Sequence, residues 1–141
     1  MRITLLFFAA LLPPCIGLFG VVGRKQTVSV VGDLRCEDKP AVGVKVRLVD
    51  LGLLKDTKIA EGVTDSGGHF ELSGYTKSIT TISPAVHIYH KCNYTGRCKK
   101  RLTVKIPSSY ITKSGEANRV YHIKKINLDN NLAGQITTCF V

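Results

Sequence analysis

The chain has 141 residues, 44% of them hydrophobic, and a formal net charge of +10 from 20 basic against 10 acidic side chains. That is enough apolar chain for one ordinary core, which excludes a disordered polyelectrolyte; a charge of this size bears on partners and not on fold.

The first segment is laid out like a secretory signal. Arg2 supplies a positive start, Ile3 to Leu12 is apolar apart from Thr4, and Pro13 and Pro14 precede the small-residue stretch Cys15-Ile16-Gly17. Spanning a bilayer takes about 20 apolar residues, and the prolines interrupt this run too early. Residues 1–17 are therefore expected to be removed, with cleavage as late as Gly20 the alternative, leaving 18–141 as a single secreted domain. No later segment is apolar enough to span a membrane.

Of the 5 cysteines, Cys15 falls inside the leader. Cys36, Cys92, Cys98 and Cys139 form an even set suited to an oxidising compartment, and three connectivities are open. Cys92 and Cys98 flank a short polar turn, so Cys92–Cys98 is favoured, leaving Cys36–Cys139 to tie the first strand to the C-terminus. No Cys-x-x-Cys knuckle exists, so neither zinc nor any other metal or cofactor is expected.

The remaining elements follow a period of two. Thr27 to Val30 opens a first strand running to Cys36, and Glu37-Asp38-Lys39-Pro40 is a polar turn. Val42, Val44, Val46 and Leu48 alternate with Gly43, Lys45, Arg47 and Val49 as a half-buried strand. Asp50 to Lys58 is a loop, though Leu51, Leu53 and Leu54 are apolar for one. Ile59 to Val63 is a short strand, and Asp65-Ser66-Gly67-Gly68 turns into Phe70 and Leu72. Further strands are expected at Val86 to His90, Leu102 to Ile106, Val120 to Ile126 and, weakly, Gln135 to Cys139. Pro107-Ser108-Ser109 has room for a turn of helix. About seven or eight short strands with polar turns and little helix predict an all-β, two-sheet antiparallel sandwich.

Several motifs in order then carry a resemblance. Gly23-Arg24-Lys25-Gln26, Val30-Val31-Gly32-Asp33-Leu34-Arg35-Cys36, Lys39-Pro40-Ala41, Ala60 to Gly74, Ile88-Tyr89-His90-Lys91-Cys92-Asn93 and Ile106-Pro107-Ser108-Ser109-Tyr110 resemble the nematode transthyretin-like family over about Gly23 to Cys139. The resemblance implies a sandwich of transthyretin type, an extracellular setting, and recognition or carriage in place of catalysis. Two departures make this member more basic: the loop after Asp50 is shorter and less acidic than the family's, and Lys91 stands where an acid is common.

Transthyretin relatives include hydroxyisourate hydrolases, which typically end in Tyr-Arg-Gly-Ser. This chain ends Thr137-Thr138-Cys139-Phe140-Val141, and its 4 histidines, His69, His87, His90 and His122, fall in no catalytic pattern. His87 and His90, three apart on a strand, face opposite sides and cannot share a metal. No catalytic residue is therefore assigned.

The suggestive feature is basic. Lys91, Arg97, Lys99, Lys100, Arg101 and Lys105 crowd into a stretch with no acid between Glu71 and Glu116, and Arg101, Thr103 and Lys105 alternate with Leu102, Val104 and Ile106. One face of that strand would be cationic while the other joins the core. Outside the cell this points to an anionic lipid surface or a sulfated glycan, with a cell-surface receptor as a bridged partner, and away from nucleic acid. The bland alternative is a solvated face that only keeps the protein dissolved; a second functional reading is a small hydrophobic ligand carried in a channel between subunits. Asn93-Tyr94-Thr95 is a glycosylation sequon within the Cys92 to Cys98 segment.

Overall fold

A computed structural model describes residues 23–113 and 119–140; the expected leader and its cleavage site lie outside them. The strands are β1 (Arg24–Cys36), β2 (Lys39–Pro40), β3 (Lys45–Asp50), β4 (Thr57–Val63), β5 (His69–Ser78), β6 (Pro84–His90), β7 (Lys99–Lys105), β8 (Thr112–Lys113), β9 (Val120–His122), β10 (Ile126–Asn127) and β11 (Ile136–Thr138). One 3-10 turn, Ser108–Tyr110, follows Pro107. The predicted sandwich is present: one sheet gathers β2, β5, β8, β9 and β10 around β1, and the other runs β11-β7-β6-β3-β4. Most pairs are antiparallel, but β9 and β10 lie parallel to β1.

The period-two reading works because alternate residues of each strand are consumed by one core. Val28, Val30 and Leu34 of β1 meet Val46 and Leu48 of β3, Val86 and Ile88 of β6 and Leu102 of β7, with Phe70, Leu72, Ile106 and Leu128 closing the layer. Two polar side chains are built into this interior. Gln26 donates to the Thr80 carbonyl at 2.8 Å and accepts from the Ile82 N–H at 3.0 Å, anchoring β1 to the β5–β6 loop. The Thr64 hydroxyl donates to the Ala41 carbonyl and accepts from the Val44 N–H.

Several boundaries differ from the sequence reading. The strand expected from Val42 starts at Lys45, because Gly43 turns the chain at φ 70° and Val42 is left 61% exposed. The Val120 to Ile126 strand is two short pieces: the Ile123 N–H still donates to the Val31 carbonyl of β1, exposed Lys124 and Lys125 follow without pairing, and the chain rejoins β1 at Ile126. The Asp65 to Gly68 turn forms as expected: Asp65 accepts from the N–H groups of Gly67 and His69, and Gly68 takes φ 77°.

The disulfides correct the expected pairing. They are Cys36–Cys92 and Cys98–Cys139, with Cα separations of 5.8 and 4.4 Å, and not Cys92–Cys98 and Cys36–Cys139. The turn closed by the Tyr94 N–H on the Lys91 carbonyl takes Cys92 out of the β6–β7 ladder and turns it to the end of β1. On the other side, β11 pairs Thr138 with Lys99, so one further step of that register sets Cys139 opposite Cys98. The short polar turn suggested a local bridge; strand pairing across the sheet overrode it.

Candidate functional site

Leu102 and Val104 of β7 face the core, so Lys99, Arg101, Thr103 and Lys105 face outward, as the alternation predicts. Lys100 falls on the opposite side, its Nζ 5.4 Å from the Tyr94 ring. Lys91 and Arg97 are exposed on the connection between β6 and β7. The six expected anion-binding residues do not form one site. Lys91, Arg97, Lys99 and Lys100 share the end of the sandwich where β6 meets β7. Lys105 lies six strand residues farther along, about 20 Å away, where it pairs with Ala85. Arg101 sits between them, half-buried.

The topology adds charges that a linear reading could not place. The Cys36–Cys92 bridge brings the end of β1 to the same end, with Arg35 and Lys39 but also Glu37 and Asp38. Exposed Lys124 and Lys125 arrive there ahead of β10, which pairs with Leu34 and Arg35. The acid-free run in sequence is thus not acid-free in space, although cations outnumber carboxylates. Asn93, at the tip of the β6–β7 turn, is exposed with φ 54°.

Sequence reasoning missed a polar cluster on the outer face of the second sheet. His87 and Tyr89 of β6 stand there yet are each only 3% exposed, because neighbouring side chains cover them. His87 Nε2 lies 2.7 Å from Asp56 of the β3–β4 loop and Nδ1 lies 2.8 Å from the Thr103 hydroxyl. Nε2–H donating to the carboxylate and Nδ1 accepting from the hydroxyl satisfies all three groups. Burial holds the His87 pKa below the ordinary imidazole value, with Arg101 and Arg47 adding to the effect against the pull of Asp56. For Asp56, burial works upward, but the bonds from His87 and the Gly52 N–H outweigh it and leave the pKa lowered. Arg47 binds Glu61 at 2.8 Å and lies over the Tyr89 ring. No spacing relates Asp56, His87 and Thr103; only the pairing of β3, β6 and β7 assembles them.

His90, also 3% exposed, is held by Gln135 at 2.8 Å and by the Cys92 N–H, and burial lowers its pKa. His69 is on the surface between Glu71 and Asp33, whose carboxylates raise its pKa. Among the described residues, no group of three or more His, Cys, Asp or Glu is placed to hold a metal, and no helix is long and apolar enough to cross a membrane.

The opposite end of the second sheet is apolar. Leu53 and Leu54 are fully exposed in the β3–β4 loop, beside an open groove of about 590 Å³ lined by Leu51, Ile82, Pro84 and Ile106, with Lys105 at its edge.

With this arrangement in view, comparison with known proteins is decisive for family. The model described as "TTR-52: Transthyretin-like family" matches residues 31–107. In Caenorhabditis elegans, Transthyretin-like protein 5 is 38% identical over 86% of this chain and 89% of its own length. Transthyretin-like protein 2 is 37% identical over 84% and 85%, and Transthyretin-like protein 33 is 36% identical over 81% and 82%. The chain belongs to the transthyretin-like family. Of solved structures, a 9R-lipoxygenase from Cyanothece aligns with 73% of the chain and 16% of its own, at TM-score 0.42 and 15% identity, too loose a likeness to bear on fold or function. Family membership agrees with the two-sheet architecture and the two disulfides, and the matched span contains the basic turn and most of the outer-face cluster.

Proposed function

We propose that this transthyretin-like protein is a secreted, non-enzymatic binding protein that recognises anionic cell-surface ligands through the end built around the β6–β7 turn. The observation that carries the reading is the gathering of exposed Lys91 and Arg97 with Lys99, Lys100, Lys124 and Lys125 at one end clamped by a disulfide. Such an end attracts an anionic membrane by about 1 kcal/mol per cation near the surface. A lipid headgroup or sulfated glycan fits the expected compartment, and a receptor could be bridged from the remaining faces.

Neutralising Lys91, Arg97, Lys99 and Lys100 to Gln together tests the reading. Binding to vesicles containing phosphatidylserine is expected to fall by at least about tenfold at low salt; unchanged binding would remove this end as the site. Asn93 would carry a glycan at the same turn. Expression in a eukaryotic secretory host should give a glycosidase-sensitive mass increment that Asn93→Gln abolishes, and its absence counts against modification there.

A second reading has its own support in the apolar groove beside Leu51, Ile82 and Ile106. A small hydrophobic ligand would sit there within one subunit, without the inter-subunit channel. Displacement of an apolar fluorescent probe that Ile106→Lys prevents would favour it; no probe binding would dismiss it.

A further inference from the structure

The polar cluster on the outer face of the second sheet is left unused by the basic-end reading. A cavity of about 220 Å³ opens on this face, bounded by Arg47, Lys58, Tyr89, Arg101 and Phe140 with Asp56 at its wall. The Nε–H of Arg101 is buried, and no described group accepts a hydrogen bond from it. Buried N–H groups are almost always paired, so an orphan on a side chain that lines the cavity signals a missing acceptor.

The charge balance specifies that acceptor. Three cations, Arg47, Lys58 and Arg101, line the cavity with one carboxylate, Asp56, and Glu61 beyond its rim is shared by Arg47 and Lys45. Glu61 is engaged by Arg47 and Lys45, and Asp56 by His87 and the Gly52 N–H, which leaves the cavity with an excess of positive charge. Apolar material lies beside this polar floor. Phe140 is 92% exposed at the cavity and follows directly after Cys139, whose bridge to Cys98 fixes it against β7.

We propose that this cavity binds an organic oxyanion. Arg101 grips the oxygens through its Nε–H and a terminal N–H, the paired geometry that a guanidinium offers and an ammonium does not. Phe140 lies against the apolar part of the ligand. A free carboxylic acid and a phosphodiester lipid headgroup both present this chemistry.

The test titrates the oxidised full chain with sodium benzoate at constant ionic strength, reading by NMR the Arg101 Nε–Hε resonance and the Thr103 backbone amide, the second of which every variant retains. A saturable displacement of the Arg101 resonance is expected. Arg101→Lys keeps the charge but loses the fork, and should weaken binding by at least about tenfold; Phe140→Ala should weaken it less, and Lys77→Gln, on the other sheet, should leave it unchanged. Vesicles of phosphatidylcholine and phosphatidylglycerol distinguish the source. Vesicle binding abolished by Arg101→Lys assigns the site to a headgroup, and an Arg101-dependent benzoate shift with vesicle binding indifferent to that change assigns it to a soluble acid. A motionless Arg101 resonance, or parental benzoate affinity in Arg101→Lys, overturns the proposal. Substituting Lys91 and Arg97 should not alter the benzoate response, so this site and the basic end fail independently.

Discussion

Thr64 shows how much single polar groups contribute inside this sandwich. At 3% exposure its hydroxyl serves both the Val44 N–H and the Ala41 carbonyl, holding the turn ahead of β3 against the end of β4. Thr64→Val keeps the shape and leaves both backbone groups unpaired, which should cost about 1–3 kcal/mol in chemical denaturation. The histidines make a second residue-scale prediction. His87 and His90 have folded pKa values depressed below the ordinary 6.5, so they favour the folded state when neutral. Their contribution is complete above about pH 6.5 and is lost as pH falls towards their folded values, at up to about 1.4 kcal/mol per pH unit for each proton taken up. Asp56, lowered instead, stays ionised through that window. His69 acts oppositely, its raised pKa favouring the fold at acid pH, but it lies on the surface where solvent screens the effect. Denaturation midpoints should therefore decline between pH 7 and 5, and His87→Gln should flatten the decline; an unchanged slope would mean His87 does not titrate there. None of this could be read in the sequence, because His87 acquires Asp56 and Thr103 only through strands distant along the chain.

Strands were legible wherever one face is buried and the other wet. β1, β3, β5 and β7 were anticipated because Val28, Val30, Leu48, Leu72 and Leu102 recur at every second position and all enter one core. The short edge pieces β8 and β10 lack enough residues to display a period, and the start of β3 was placed early because Val42 and Val44 continue the pattern through a turn that Gly43 makes. The Gly68 turn is the strictest local constraint: φ is 77° and the Leu34 carbonyl occupies the space a Cβ would need. Gly68→Ala should cost at least about 1 kcal/mol by unfolding titration; no loss would show that the turn can relax. The disulfides were misassigned because proximity in sequence is a poor guide once β11 returns to pair with β7. They close loops of 56 and 41 residues, each worth about 4 kcal/mol in the chain-entropy model. Replacing Cys98 and Cys139 together by Ser should remove about that much and release β11 first, visible as faster amide exchange at Ile136 to Thr138 than at β6.

At the scale of the whole molecule, the second sheet separates three environments along its strands: a cationic end at the β6–β7 turn, a half-buried cavity around Arg101, and an apolar end at Leu53 and Leu54. The sequence displayed the charge but drew it as one patch, because linear spacing cannot tell that Lys105 and Lys99 lie at opposite ends of one strand, or that a disulfide brings Glu37 and Asp38 beside Lys91. It also offered no hint that Lys124 and Lys125 join the same end. The most direct test of anionic-surface recognition is binding of the oxidised protein to neutral vesicles, anionic vesicles and sulfated glycan across a salt series. The account predicts binding to the anionic surfaces alone, weakening steeply as salt rises and reduced by neutralising Lys91, Arg97, Lys99 and Lys100. Absence of binding even at low salt, or binding to neutral and anionic surfaces alike with no salt dependence, would contradict it.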